Sequence, residues 1–165
     1  MELISKKTID LLNYRIQQEQ MTSKNYEQMF LWLKNESYFN AAELWKKNYE
    51  DELEHAGWAK EYLLSFNVMP ELATIPEPEN LFISFEDIVN KTYDFEVETT
   101  KQCRELAKHA LEEGDYNLLT LANKFNEEQI EEMNSINDLK DIVKLSSDKL
   151  IVELYIKENL IEKEN

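Results

Sequence analysis

Six side chains of this 165-residue sequence carry donor atoms at spacings that could hold metal ions. Two of them, Glu52 and His55, lie three residues apart in the stretch YEDELEHAGW, residues 49–58. On a helix that spacing puts both on one face, so they can converge on a single ion. Gln129 and Glu132 repeat the spacing within EEQIEE. Glu19 and Glu96 complete the set. Oxygen-rich ligation with one imidazole suits iron or manganese, whereas zinc can bind such a set but does no redox chemistry.

Their position in the apolar pattern gives these residues their meaning. A 3-4 repeat threads Ile9, Leu12, Ile16, Glu19, Ser23, Tyr26, Phe30 and Leu33, and a second threads Ala42, Trp45, Tyr49, Glu52, Ala56, Ala59, Leu63 and Phe66. A third runs through Phe85, Val89, Thr92, Glu96, Thr99, Cys103, Leu106 and Ala110. The fourth runs through Leu118, Ala122, Phe125, Gln129, Glu132, Ile136, Leu139 and Val143. Each is a seam facing a bundle axis. Each is interrupted near its middle by a carboxylate. Carboxylates taken out of water without partners cost several kcal/mol apiece, and like charges brought together cost more. Four at one level imply cations. Four carboxylates and a neutral imidazole match the charge of two divalent ions, so the pattern reads as a two-metal site.

Long helices must position these residues. The sequence has only two glycines and three prolines, the latter all between residues 70 and 78. So few breakers predict long helices joined by few loops. The first covers about Ser5 to Asn35 and the second about Asn40 to Phe66. Ser84 opens the third, with Asp87 three residues on in a capping-box arrangement. Gly114 stops it, Asp115 caps the fourth, and Ser146 and Ser147 end that helix after Leu145. A fifth covers roughly residues 148–162. A helix of about 27 residues is roughly 40 Å long, and about 16 extended residues reach roughly 50 Å. The proline-bearing connection can therefore run the length of the bundle and make helices two and three parallel. The expected fold class is all-α. It is a four-helix bundle over residues 1–145 with one long crossover between helices two and three, plus a short C-terminal helix and tail over 146–165 in the same domain.

Charge and composition narrow the function. A formal charge of −16 leaves no basic footprint for nucleic acid. No segment approaches a membrane span, the first residues carry no run suited to a signal peptide, and the single Cys103 suits a reducing cytoplasm. The expectation is no nucleic-acid partner, no membrane and a cytoplasmic location.

The sequence resembles the non-haem ferritins of bacteria. The matching stretches are QQE at Glu19 with Tyr26 one heptad on, EDELEH at 50–55, DFEVETT around Glu96, GDYNLL opening the fourth helix, and EEQIEE at 127–132. They follow in order over nearly the whole chain. The resemblance implies a ferritin-like bundle with a di-iron ferroxidase centre. Glu19, Glu52 and His55 would hold the first iron, with Glu52 bridging. Glu96 and Glu132 would hold the second, with Gln129 alongside. A third iron would map onto Asp51, Glu128 and Glu131. Haem is not expected, because Leu53 stands where the haem-binding relatives carry a Met ligand. Paired Fe(II) would be oxidised by oxygen or hydrogen peroxide and Fe(III) stored as mineral inside a homo-oligomeric shell of about 24 subunits. The alternative is a discrete di-iron oxidase or peroxidase that keeps its metal and stores none.

Other residues receive plainer assignments. Tyr26 either hydrogen-bonds at the site, donates an electron, or fills the core. Lys124 stands where many bacterial relatives have a tryptophan. Cys103 is expected in the core, His109 near the surface end of the third helix, and Trp32 and Trp58 at contacts between subunits.

Overall fold

The computed structural model describes residues 3–162, and five helices account for most of them. These are α1 (Lys6–Asn35), α2 (Phe39–Ser65), α3 (Phe85–Glu113), α4 (Tyr116–Leu145) and α5 (Lys149–Ile156). Among the described residues there is no strand. The helix ends follow the capping chemistry of the sequence. Ser5 accepts a hydrogen bond from the Thr8 N–H, and Asp115 accepts one from the Leu118 N–H at 2.9 Å. Gly114 takes a left-handed φ of 66°, where a side chain would be strained, and turns α3 into α4. The start of α3 differs in one detail from the expected box. Ser84 accepts from the Asp87 N–H, but the Asp87 carboxylate reaches past the cap to the Ile83 N–H at 3.2 Å.

α1 packs along α2, α3 packs along α4, and the two hairpins close on one another through α1 with α3 and α2 with α4. The crossover occupies residues 66–84 and lies along α1 in rising register. Asn13 accepts from the Glu71 N–H at 2.9 Å, Gln17 donates to the Thr74 carbonyl at 2.7 Å, and Asn25 accepts from the Glu79 N–H at 3.4 Å. The connection thus travels in the direction of α1, which makes α3 parallel to α2. Three of its backbone polar groups, far from any ladder, are thus met by amide side chains of the helix they cross.

The apolar core falls into two blocks. One gathers Met29, Leu33, Trp45, Val89, Ile136 and Leu139 with their neighbours, and the other Leu12, Ile16, Leu63, Cys103, Leu118 and Phe125 with theirs. Between them lies a polar layer containing Glu19, Glu52, His55, Glu96 and Gln129, all buried. Each fully buried Leu or Ile stabilises by roughly 1.5–3 kcal/mol, so the blocks hold the helices and fix the layer between them.

The last helix spans the expected residues but changes its winding. It is α-helical only to Ile156 and continues as a wider turn over Lys157–Ile161. Val152 and Ile156 join the first core block, while Leu150, Ile151 and Leu154 stay exposed. Glu153 faces the start of α2, where its two oxygens accept the N–H groups of Asn40 at 3.0 Å and Ala41 at 2.8 Å. A carboxylate on the unpaired N–H groups of a helix N-terminus is a favourable pairing, and it docks α5. His109 departs from its expected surface position. It is buried, with the Thr8 hydroxyl 2.9 Å from Nε2 and the Glu113 carboxylate 3.5 Å away.

Candidate metal centre

The layer is built by one carboxylate-bearing turn from each helix. α1 supplies Glu19, and α2 supplies Glu52 and His55 on a single face. Their donor atoms lie within 4.8 Å of one another. His55 Nδ1 is 3.3 Å from Glu52 Oε2 and 3.8 Å from Glu19 Oε2. Its Nε2 faces outward to Glu128 Oε2 at 3.8 Å. Glu19 Oε2 is buried and has no hydrogen-bond partner. An acceptor left so at the convergence of two other donors is what a cation would satisfy, so this set fits a metal ion.

Glu96 lies across the layer on α3. The Tyr26 hydroxyl donates to its Oε1 in a short hydrogen bond, and the Gln129 amide lies 3.0 Å from its Oε2. The same amide nitrogen is within reach of the Glu96 carbonyl at 3.2 Å and the Thr100 hydroxyl at 3.1 Å. Gln129 therefore turns its donor side to Glu96 and fixes that carboxylate. Glu132 lines a cavity between α2, α3 and α4 together with Glu96, and the same cavity is lined by Asp51, Glu128 and Glu131. All three residues assigned to a third iron thus open onto one space. Asp51 is also paired with Lys47 at 3.0 Å.

The electrostatics are divided. Burial pushes the Glu19 carboxyl up, but the Arg15 guanidinium, 2.8 Å away, together with Glu52 and His55 outweighs it, and Glu19 is held down at about 2. Burial and the Glu19 charge push Glu52 well above the carboxylate range. Burial raises Glu96 despite the bonds from Tyr26 and Gln129, and burial with the Glu96 and Asp51 charges lifts Glu132 to about 8. Without cations, several of these acids hold protons at neutral pH. A pair of divalent ions would displace those protons.

Two residues of the centre escaped the sequence reading. Arg15, one turn before Glu19, flanks the seam, and an Arg four residues before a Glu is a recognisable helix pair. Trp58, expected at a subunit contact, packs within the chain against His55 with ring centroids 4.6 Å apart and against Phe125 at 5.4 Å. Lys124 places its ammonium 3.8 Å over the same indole. Its spacing from His55, three residues on, was the available signal.

The sequence profile of the ferritin-like domain matches residues 9–145. The chain belongs to the ferritin family. Within that family it is 29% identical over 143 residues to a bacterial non-heme ferritin of Campylobacter jejuni, covering 87% of this chain and 86% of that one. A bacterial non-heme ferritin of Staphylococcus aureus is 23% identical over 157 residues, covering 94% and 95% of the two chains. Among solved structures, the open pore ferritin of the archaeon Archaeoglobus fulgidus superposes with a TM-score of 0.89 at 24% identity, covering 94% of this chain and 96% of that one. That likeness shows the fold. The ferritin bundle, with its crossover and short last helix, is the architecture the sequence predicted. Among the described residues, no helix is long and apolar enough to cross a membrane.

Proposed function

We propose that this protein is an iron-storage ferritin that oxidises Fe(II) inside the bundle and keeps Fe(III) as mineral in a multi-subunit shell, in the cytoplasm. The observation that carries the reading is the buried convergence of Glu19, Glu52 and His55, with an unpartnered Glu19 oxygen at its centre. Fe(II) is the substrate. Glu19 and His55 would hold one ion, Glu96 and Glu132 the second, and Glu52 would bridge. Two Fe(II) give up one electron each, so a dioxygen molecule with two protons leaves as hydrogen peroxide. With peroxide as oxidant, the same two electrons and two protons yield two water molecules. The carboxylates stabilise the ferric product, and His55 supplies the one neutral nitrogen donor. Tyr26 and Gln129 keep Glu96 in place while charge builds on the iron it holds.

The cavity shared by Glu96, Glu132, Asp51, Glu128 and Glu131 gives the product an acid-lined way out, and those last three would take the third ion. Large apolar side chains left exposed on the crossover, Leu72, Leu81 and Ile83, and on α5, Leu150, Ile151 and Leu154, support burial against other copies of the chain.

The test is aerobic loading with Fe(II) followed by sedimentation. Iron in the hundreds of atoms per particle, travelling with a shell of about 24 chains, is the expected result. About two irons per chain on a monomer or dimer would instead establish a discrete di-iron oxidase or peroxidase. E52A should abolish rapid oxidation in either case.

A further inference from the structure

The guanidinium of Arg15 is a permanent cation buried against the polar layer, and nothing in the iron chemistry above uses it. Arg15 is 2% exposed. Its Nε lies 2.8 Å from Glu19 Oε1, and its Nη1 donates to Gln102 Oε1 on α3 at 2.7 Å. Gln102 is itself oriented, its amide lying 3.2 Å from the Tyr14 hydroxyl and 3.2 Å from Glu98. The guanidinium is therefore held from two helices. A buried ion pair of this kind contributes little net stability, since a well-packed apolar pair in its place is commonly as stable. This one is not even self-contained: Glu19 Oε1 is ion-paired with Arg15 Nε, which with Nη2 makes no hydrogen bond, and Glu19 Oε2 is without a partner beside His55.

We infer that Arg15 is a built-in counter-charge that restricts Glu19 to one donor oxygen and biases the first metal position against trivalent ions. The inference rests on the reading of this layer as a metal centre. An arginine does not lose its proton in a protein, so the bias is fixed and independent of pH. With Oε1 engaged by the guanidinium, only Oε2 is available to an ion, which removes a chelating mode that hard trivalent ions favour. The repulsion between the guanidinium and a bound ion scales with the charge of that ion. It therefore weighs half as much again on Fe(III) as on Fe(II). The position admits the ferrous substrate and holds the ferric product less firmly. That is the property a transit site needs and a resident cofactor site does not. Arg15 acts through Glu19, so it is a positioning and selectivity residue, not a catalytic one.

The test uses non-redox ions, so that it reads binding and not turnover. Co(II) is titrated into the apo protein and followed by its visible absorption bands, and Tb(III) is then used to displace it. The full chain is compared with R15K and with two independent neutral variants, R15Q and R15M, so that a folding defect in one leaves the other to decide. R15K should stay within about twofold of the parent for both ions, while the neutral variants should tighten Co(II) about tenfold and Tb(III) about thirtyfold, as the Coulomb scaling requires. Equal changes for the two ions, or weaker binding of both, would overturn the inference and leave Arg15 as a scaffold for Glu19. Absence of Co(II) bands in the parent would overturn the metal-centre reading, and this inference with it.

Discussion

The Trp58 indole leans against the His55 imidazole with ring centroids 4.6 Å apart, while the Lys124 ammonium covers the indole at 3.8 Å. The contact makes Trp58 an optical reporter of the metal position proposed at Glu19, Glu52 and His55. Binding of a paramagnetic ion such as Co(II) at His55 should quench Trp58 emission at the stoichiometry of the first site. The W58F variant should lose most of that quench and still bind the ion, because Trp58 supplies no ligand atom. Quenching that survives W58F unchanged would place the ion nearer Trp32 or Trp45.

The protonation of Glu132 predicts how the apo protein responds to pH. Its pKa is raised from an ordinary value near 4.5 to about 8 by burial and then by the Glu96 and Asp51 charges. Between those values the folded chain keeps a proton that the unfolded chain has released. Stability therefore falls as pH rises across that window. The contribution is whole below about 4.5 and gone once the pH has passed about 8. Calorimetry on the metal-free protein should show Tm declining from pH 5 to 8. E132Q should flatten the decline, and so should divalent ions, which take the place of the proton.

Glu153 predicts a stability effect remote from the layer. Removing its carboxylate leaves the Asn40 and Ala41 N–H groups at the start of α2 without their acceptor. E153A should cost about 1–2 kcal/mol in chemical denaturation. Hydrogen exchange should quicken across α5, whose Val152 and Ile156 would lose their anchor. Unchanged exchange there would show that apolar packing alone docks the helix.

His109 separates structure from chemistry. It is about 20 Å from Glu96 along α3, at 1.5 Å per residue. H109A removes a buried side chain and one partner of the Thr8 hydroxyl, which keeps Ser5 and Glu113, and should destabilise by about 0.5–3 kcal/mol. Co(II) affinity should not move. A loss of affinity in a folded H109A protein would mean that the two core blocks transmit strain through the layer.

The bundle and the buried polar layer of Glu19, Glu52, His55, Glu96 and Gln129 were legible because both are local signals. A 3.6-residue period interrupted by Glu, and a helix stop at Gly114 followed by the Asp115 cap, are written within one or two turns of sequence. The crossover could be inferred because its length could be compared with that of a helix. What stayed hidden depends on partners far along the chain. His109 meets Thr8 across 101 residues, and Glu153 meets Asn40 across 113, so neither side chain carries a local mark of its burial. Arg15 is a partial exception. Its pairing with Glu19 spans four residues and is readable, but a charged residue beside an apolar seam is ordinarily solvated, so its burial carries no local mark.

The strap of residues 66–84 joins two halves that each hold part of the centre. The α1–α2 hairpin owns Glu19, Glu52 and His55, and the α3–α4 hairpin owns Glu96, Gln129 and Glu132. An ion bridged by Glu52 to Glu96 would be a clasp across that junction, binding the docked halves and neither one separately. By linkage, any such ion drives the halves together with the same free energy by which their docking tightens its own binding. A chain cut within the strap, near Ile75, would still contain both hairpins, and their reassembly would then be titratable with metal.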